Sequence, residues 1–480
     1  DIEPYMDDKA ACSERAMAWL RQVIQECKRV GLHVQFSFEP RDGGDDVTPA
    51  LATCRRVLEL YPEIDALEMI TNEAGSGEPC ERSAVDDVLA RLFPNVDHDA
   101  GELETVLSDP RSGTTSMLAE LGHCIRTVEA FLPEAQAQSV RLAVGGYFVS
   151  EEAHPAILYL ARHCVPGDVG FTFMPGHGSG RVARHTEAAG QLPPRGPETT
   201  LYSWIEFDGL EFLQQNAVPG IHRLMSHLQD NLSPEAMPGV AFNHWRTAEN
   251  RLTARYAAEA CLSGAEEPRA FYEKYAAGLG VGAPADFAEA MVKLGEADWV
   301  ATNDLPNVGF CYVGCWRRRD EGGLGYFGEW SQEKLAEVGA MYQCIHDLLV
   351  GCTSDTTAPC ARAYLELLDN RICCTIVYLR AMARGCEMQK FGDINTGDLT
   401  ADQRREAAAI CDRALNLMEQ YLQLHAEQLA DRGCEGTLIS AYYTALAVLK
   451  AIREEYGGIP NDEAASDEGL EPPPSPISFG

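Results

Sequence analysis

Along the first half of the chain, apolar positions follow two alternating rhythms. Short apolar runs stand at residues 32–39 (LHVQFSFE), 66–73 (ALEMITNE), 140–148 (VRLAVGGYF), 168–174 (DVGFTFM), 200–208 (TLYSWIEFD) and 239–245 (GVAFNHW). Between them, apolar residues recur at three and four positions over 11–30, 48–61, 116–132, 153–164 and 221–228, the spacing of amphipathic helices. Strand, helix, strand at these intervals predicts parallel strands joined by right-handed crossovers. The interval from Glu73 to Val140 is longer than the rest and predicts an insertion. After residue 245 the strand rhythm stops. Helical spacing continues through 246–262, 271–279, 285–297, 332–350, 361–384, 402–430 and 438–456.

This pattern predicts an α/β chain: a (β/α)8 TIM-type barrel over residues 1–250, an all-α domain over 251–458 and a disordered tail over 459–480, which is acidic and rich in proline. Eight strands close such a barrel and six are visible, so the first two are expected ahead of Asp1, where the chain opens in loop-like sequence (DIEPYMDD). On that count the visible strands are the third to the eighth. An open, doubly wound sheet is the competing architecture, but no strand runs into a glycine-rich phosphate loop. The GHGSG at 176–180 follows Pro175 and leads into more proline.

Composition narrows the partners. The formal net charge of −34 over 480 residues repels nucleic acid and anionic membrane surfaces. No apolar run is long enough to span a bilayer. The 17 cysteines are odd in number, scattered, and lack zinc-finger spacing. They read as mostly free thiols, which predicts a cytoplasmic, reducing compartment. No HExxH or GxSxG appears and no glycine-rich phosphate loop follows a strand, so neither a metal nor an organic cofactor is expected.

The candidate chemistry lies where the apolar runs end. Glu73 closes the second run, and Glu206 stands near the end of the fifth. Parallel α/β barrels carry their active sites at the carboxyl ends of their strands. Two carboxylates there are what cleavage of a glycosidic bond requires: one protonates the leaving oxygen and one works on the opposite face of the sugar. Asn72 directly precedes Glu73, and Trp245 ends the sixth run.

This set resembles the large clan of retaining (β/α)8 glycoside hydrolases, clan A, with Asn-Glu on strand four, Glu on strand seven and Trp on strand eight. The resemblance spans residues 32–245 and implies Glu73 as acid/base and Glu206 as nucleophile. It implies Asn72 as a hydrogen-bond partner of a sugar hydroxyl and Trp245 as an apolar floor beneath the ring. A glycan or glycoside is the implied substrate. His177, Trp204, Asp208, Asn243 and Arg246 complete the expected substrate contacts, His177 because its flanking glycines let a backbone approach a ligand closely.

Other readings stand beside these. Glu73 also suits the first turn of a helix. Asp208, two residues beyond Glu206, shares its strand face and competes for the nucleophile's place. Trp245 also suits a core. Arginines at 181, 184, 246 and 317–319 suit either a uronic-acid carboxylate or surface ion pairs. They admit an inverting, α-glucuronidase-like hydrolase, while loss of the catalytic carboxylates' role would leave a carbohydrate-binding barrel.

Overall fold

The computed structural model describes residues 11–40, 46–71, 82–96, 114–147, 154–174, 199–204, 212–233, 237–243, 246–305, 308–309, 330–391 and 398–457. The chain divides into two compact units. The first comprises Asp1–Gly176, Arg184–Ser203 and Leu228–Phe242; the second comprises His177–Ala183, Trp204–His227 and Asn243–Gly480.

The first unit is built on six strands: β1 (Gln35–Phe38), β2 (Ala66–Ile70), β3 (Arg141–Tyr147), β4 (Gly170–Met174), β5 (Thr199–Trp204) and β6 (Gly239–Asn243). They lie in one sheet in chain order, and each step from β1 to β5 is parallel. The helices that alternate with them along the chain are α1 (Ala11–Arg29), α2 (Thr48–Leu60), α3 (Arg82–Leu92), α4 (Thr114–Ala137), α5 (His154–His163) and α6 (Val218–Asn231), the last lying mostly in the second unit. Parallel, sequential order agrees with the alternation in the sequence. The eight-stranded barrel does not. Among the described residues the sheet has six strands, with β1 and β6 at the two ends of its order. A barrel requires its end strands to pair with each other at a consistent stagger. The βα alternation is local and is the same in an open sheet and a closed one, so it cannot report closure.

Strand alternation separates two faces. Phe36, Leu67, Met69, Leu142, Val144, Phe171, Phe173 and Leu201 point to one side and are buried. Helix α4 packs against β3 and β2 and also contacts α2, α3 and α5. It buries Leu121, Ile125 and Val128. Helix α3 falls inside the long interval between Glu73 and Val140. Val85, Val88, Leu89 and Leu92 are buried there at helical spacing.

The second unit is helical: α7 (Thr247–Ser263), α8 (Pro268–Leu279), α9 (Pro284–Asp304), α10 (Gln332–Asp355), α11 (Pro359–Met388), α12 (Ala401–Glu427), α13 (Arg432–Ser440) and α14 (Ala447–Gly457). A π-helical turn, Ala441–Leu446, joins the last two, so the single helix expected at 438–456 is interrupted. Sequence signals set the starts. Helices α8, α9 and α11 open on proline, whose missing N–H costs nothing in a first turn. Helix α12 opens on a reciprocal Thr400/Gln403 capping box. Asp431 caps α13 by accepting from the Cys434 N–H at 2.8 Å, and also accepts from the Ala248 N–H at 2.6 Å, tying the starts of two helices together. Between α8 and α9, Gly282 seats its backbone against the end of α10, where a Cβ would lie 2.0 Å from the Asp355 carbonyl oxygen. Among the described residues no helix is long and apolar enough to cross a membrane.

Candidate functional site

Register fixes which residues share the face opposite α4. Ile70 aligns with Gly145, Gly145 with Thr172, and Thr172 with Thr200. Two residues back, Ser37 aligns with Glu68 and Glu68 with Ala143. Ser37, Glu68, Ala143, Gly145 and Thr172 make the middle of this face small and polar, where the other is large and apolar. Its centre is Glu68, a carboxylate 4% exposed in the middle of an apolar strand. Glu68 Oε2 accepts from Ser37 Oγ at 2.6 Å and from Gln35 Nε2 at 2.8 Å. Oε1 has no partner among the described residues. It faces Gly145, where a Cβ would stand 3.4 Å from Oε1 and 2.6 Å from Ile70 Cγ2. Glycine therefore keeps open the ground beside a buried acceptor. The signal for Glu68 was present in the sequence as a lone charge inside the run ALEMI.

The pairing of β2 continues one residue past its end, since Thr71 N–H donates to the Gly145 carbonyl at 3.0 Å. Thr71 is buried. The backbone that enters Asn72 and Glu73 is thus held to β3. Asn72, Glu73, His177, Glu206, Asp208 and Trp245 lie outside the described residues. Trp204 and Asn243 are the last residues of β5 and β6.

In the helical unit, residues 212–217 form a buried segment without regular structure. Every buried backbone polar group needs a partner, and here helices supply them. Gln214 N–H donates to Thr375 Oγ1 at 2.8 Å on α11, and Tyr342 of α10 donates its hydroxyl to the Gln214 carbonyl at 2.8 Å. Asn216 N–H donates to Asp298 Oδ2 on α9, and the Asn216 amide donates to Tyr272 Oη at 2.9 Å and to the Met291 carbonyl at 2.7 Å. The segment following Glu206 and Asp208 is thereby clamped by four helices.

Asp298 is fully enclosed, and burial pushes its carboxyl up to about 8, against the opposing pull of the Asn216 N–H, Tyr342 and Arg246. Tyr342 donates its hydroxyl to the Gln214 carbonyl at 2.8 Å, and its oxygen lies 3.5 Å from Asp298 Oδ1. The sign of the linkage follows. In the unfolded chain an Asp ionises near 3.9, so stability falls as pH rises from there to about 8, by about 1.4 kcal/mol per pH unit. Asp298→Asn, which keeps an acceptor for Asn216, should melt above the wild type at pH 8.5 and level with it near pH 4. A pH series of thermal melts checks this, and parallel melting curves at all pH values would count against a neutral Asp298.

Arg246 lies in the core of this unit. Its Nη1 sits 2.8 Å from Glu249 Oε2, both side chains at most 4% exposed, and its Nη2 donates to the Leu213 carbonyl at 3.2 Å. Glu249 Oε1 accepts from Arg371 Nε at 2.6 Å and from Cys434 Sγ at 3.3 Å. His425 stands beside them, its Nε2 3.9 Å from Glu249 Oε1. Burial, with Arg371 adding to it, pushes its ring down to about 3, so it is neutral. The three-residue spacing of Arg246 and Glu249 was the sequence signal for this pair.

A cavity of about 730 Å³ opens elsewhere in the unit, with Pro219, Tyr272 and Gly295 in its wall and Arg223 stacked 4.9 Å from the centre of Trp299. None of the residues singled out in the sequence lines it. Among the described residues, His346, Asp369 and Cys373 form the one group with metal-donor proximity, which the sequence reading missed because its members come from two helices.

No protein-family model matches the chain, and no curated protein matches its sequence. Solved structures do resemble it. One is a GH138 enzyme targeting pectin rhamnogalacturonan II, at 10% identity over 94% of this chain and 73% of that one, with a TM-score of 0.49. Another is CpGH84D, at 8% identity over 91% of this chain and 66% of that one, with a TM-score of 0.35. At these scores the likeness carries no argument about activity, which has to come from the residues.

Proposed function

We propose that the chain is a glycoside hydrolase working with two glutamates, Glu73 as acid/base and Glu206 as nucleophile, with retention of anomeric configuration. One observation supports this reading: β2 and β5 run in the same direction in one sheet, so Ile70 and Trp204, their last residues, stand at the same edge. Side chains and loops at the carboxyl edge of parallel strands are where α/β folds place their ligand sites. The polar face that carries Glu68 adds an acidic, hydrogen-bonding wall along the same strand. On this reading Asn72, Trp204, Asp208, Asn243 and Trp245 supply the hydrogen bonds and aromatic surface that a sugar ring takes up. His177, beyond the end of β4, joins them as a loop contact.

Strand spacing makes the stereochemistry a demanding test. Three interstrand steps separate β2 from β5, about 14 Å in a flat sheet. Retention needs the two carboxyls about 5–5.5 Å apart, and inversion about 6.5–9.5 Å. Two glutamates converging from these strands must therefore draw on sheet twist and on the full length of both side chains. Incubating the full-length protein with a panel of aryl glycosides and following the first-formed sugar by proton NMR decides between the two outcomes. The expected product keeps the substrate's anomeric configuration. An inverted product would remove Glu206 as nucleophile, and failure on the whole panel, uronides included, would set the hydrolase reading aside.

A further inference from the structure

Helices α10 and α11 are joined by the short link 356–358 and pack side by side. Three side chains of different chemistry meet between them. His346 projects from α10; Asp369 and Cys373, four residues apart and so on one face, project from α11. All three are buried. His346 Nδ1 lies 2.7 Å from Asp369 Oδ1 and 3.6 Å from Cys373 Sγ, and all donor atoms fall within 4.8 Å of one another.

A buried His–Asp hydrogen bond alone would account for part of this, but it leaves two features over. Asp369 Oδ2 is buried with no partner among the described residues. Such an atom costs free energy that a partner would recover. The second is the thiol beside the ring. A tetrahedral zinc ion with a Zn–S bond of about 2.3 Å and a Zn–N bond of about 2.0–2.1 Å sets its nitrogen and sulfur donors about 3.6 Å apart. Sγ and Nδ1 already stand at 3.6 Å. The shorter Nδ1–Oδ1 distance is that of a shared proton, which an ion would replace while either carboxylate oxygen swings to meet it.

We propose that His346, Asp369 and Cys373 form a zinc site that pins α10 to α11, with His346 binding through Nδ1, Asp369 through a carboxylate oxygen and Cys373 through its thiolate. Imidazole and thiolate together select a borderline-soft ion over magnesium or calcium. Thiolate plus carboxylate carry two negative charges, so Zn²⁺ leaves the buried site neutral and avoids the cost of an uncompensated charge. On binding, two protons pass to solvent, the Cys373 thiol proton and the one shared between Nδ1 and Asp369 Oδ1, while the ring keeps its proton on Nε2 and Nδ1 coordinates. A water completes the fourth position, reached past His346, the most exposed of the three.

The test uses the full chain, stripped by chelator under reducing conditions and titrated with Co²⁺ as a spectroscopic stand-in. One equivalent should give the visible bands of tetrahedral cobalt and a near-ultraviolet thiolate charge-transfer band, and Zn²⁺ should displace both. Cys373→Ser should lose the thiolate band and weaken binding by more than the about 10–100-fold that follows loss of an outer partner. Cys374→Ser is the control: that neighbouring thiol is equally buried but lies 3.8 Å from Asn370 Oδ1, outside the cluster. It should bind as the wild type does. Zn²⁺ should raise the melting temperature of the wild type and of Cys374→Ser, and leave His346→Gln unmoved. Should Cys373→Ser fail to fold, Asp369→Asn serves in its place. A wild type with no thiolate band at one equivalent, or a band that survives Cys373→Ser, would leave the trio as a hydrogen-bonded contact only.

Discussion

Glu206→Ala should abolish turnover of an activated aryl glycoside, while Glu73→Ala should retain a substantial part of it. The difference follows from the two roles. Without a nucleophile no covalent intermediate forms, and the loss should reach or exceed about 10⁴-fold, the upper end of what a general acid or base contributes. A good leaving group needs little protonation. Glu73→Ala should therefore pass the first step and stall at the second, where Glu73 acts as base. Azide needs no base and should restore part of the rate, giving a glycosyl azide. Steady-state kinetics on the wild type, both variants and Asp208→Ala, with and without azide, decide the assignment. If Asp208→Ala is the inactive protein and Glu206→Ala is active, the nucleophile lies two residues further along.

The largest effect on stability is expected at Glu249. Its carboxylate stands between two buried guanidiniums, Arg246 and Arg371. Removing one partner of a buried pair costs about 3–5 kcal/mol because the charge left behind has no counterion. Glu249→Gln takes the carboxylate away from both guanidiniums at once. The melting temperature of the helical unit should fall by about 6–20 °C. Burial alone would raise the Glu249 carboxyl. The charges of Arg246 and Arg371, and the hydrogen bond from Arg371, outweigh it and hold the group below its ordinary value. Its stabilising contribution is thus complete above about 4.3, the unfolded value, and is lost as pH falls through the depressed folded one. Glu249→Gln should flatten that acid limb of the stability curve. A fall of less than about 1 kcal/mol in denaturant midpoints would show that the helices hold without the network.

Much of the fold was legible because it is written in local periodicity. Each of the six strands lies where an apolar run predicted it, and most helices differ from their apolar spacing only at the ends. Helix α3 was legible too, through Val85, Val88, Leu89 and Leu92, but its long interval drew attention to its length rather than its spacing. Closure was not legible, since whether β1 meets a partner beyond β2 depends on strand count and stagger. Segment 212–217 (FLQQNA) has the composition of a loop, and nothing in it reports that helices far along the chain will supply its hydrogen bonds. Arg246 was read from its place after Trp245, although Glu249 three residues on already named its partner. Within the metal-donor trio, the Asp369–Cys373 spacing was visible, but His346 belongs to another helix. At the candidate catalytic edge, the glutamates read from the sequence lie beyond the described strands, past Thr71 on one side and Trp204 on the other.

The clamp on segment 212–217 bears on how this chain is divided and how it folds. Its hydrogen bonds join residues 82, 128 and 161 positions apart in sequence. Such contacts form only after long stretches of chain have been brought together, which slows folding relative to a bundle made of local pairs. A fragment beginning at Arg251 would contain every helix from α8 onward, yet Thr375 and Asp298 would reach toward a strand of backbone no longer there, and Arg371 would face an empty place where Glu249 stood. The helical unit is therefore not a module that ends where the strand rhythm stops. Its core is completed by a piece of chain that precedes β6, so the chain must leave that interior, lay down the last strand of the sheet and return before the interior is finished.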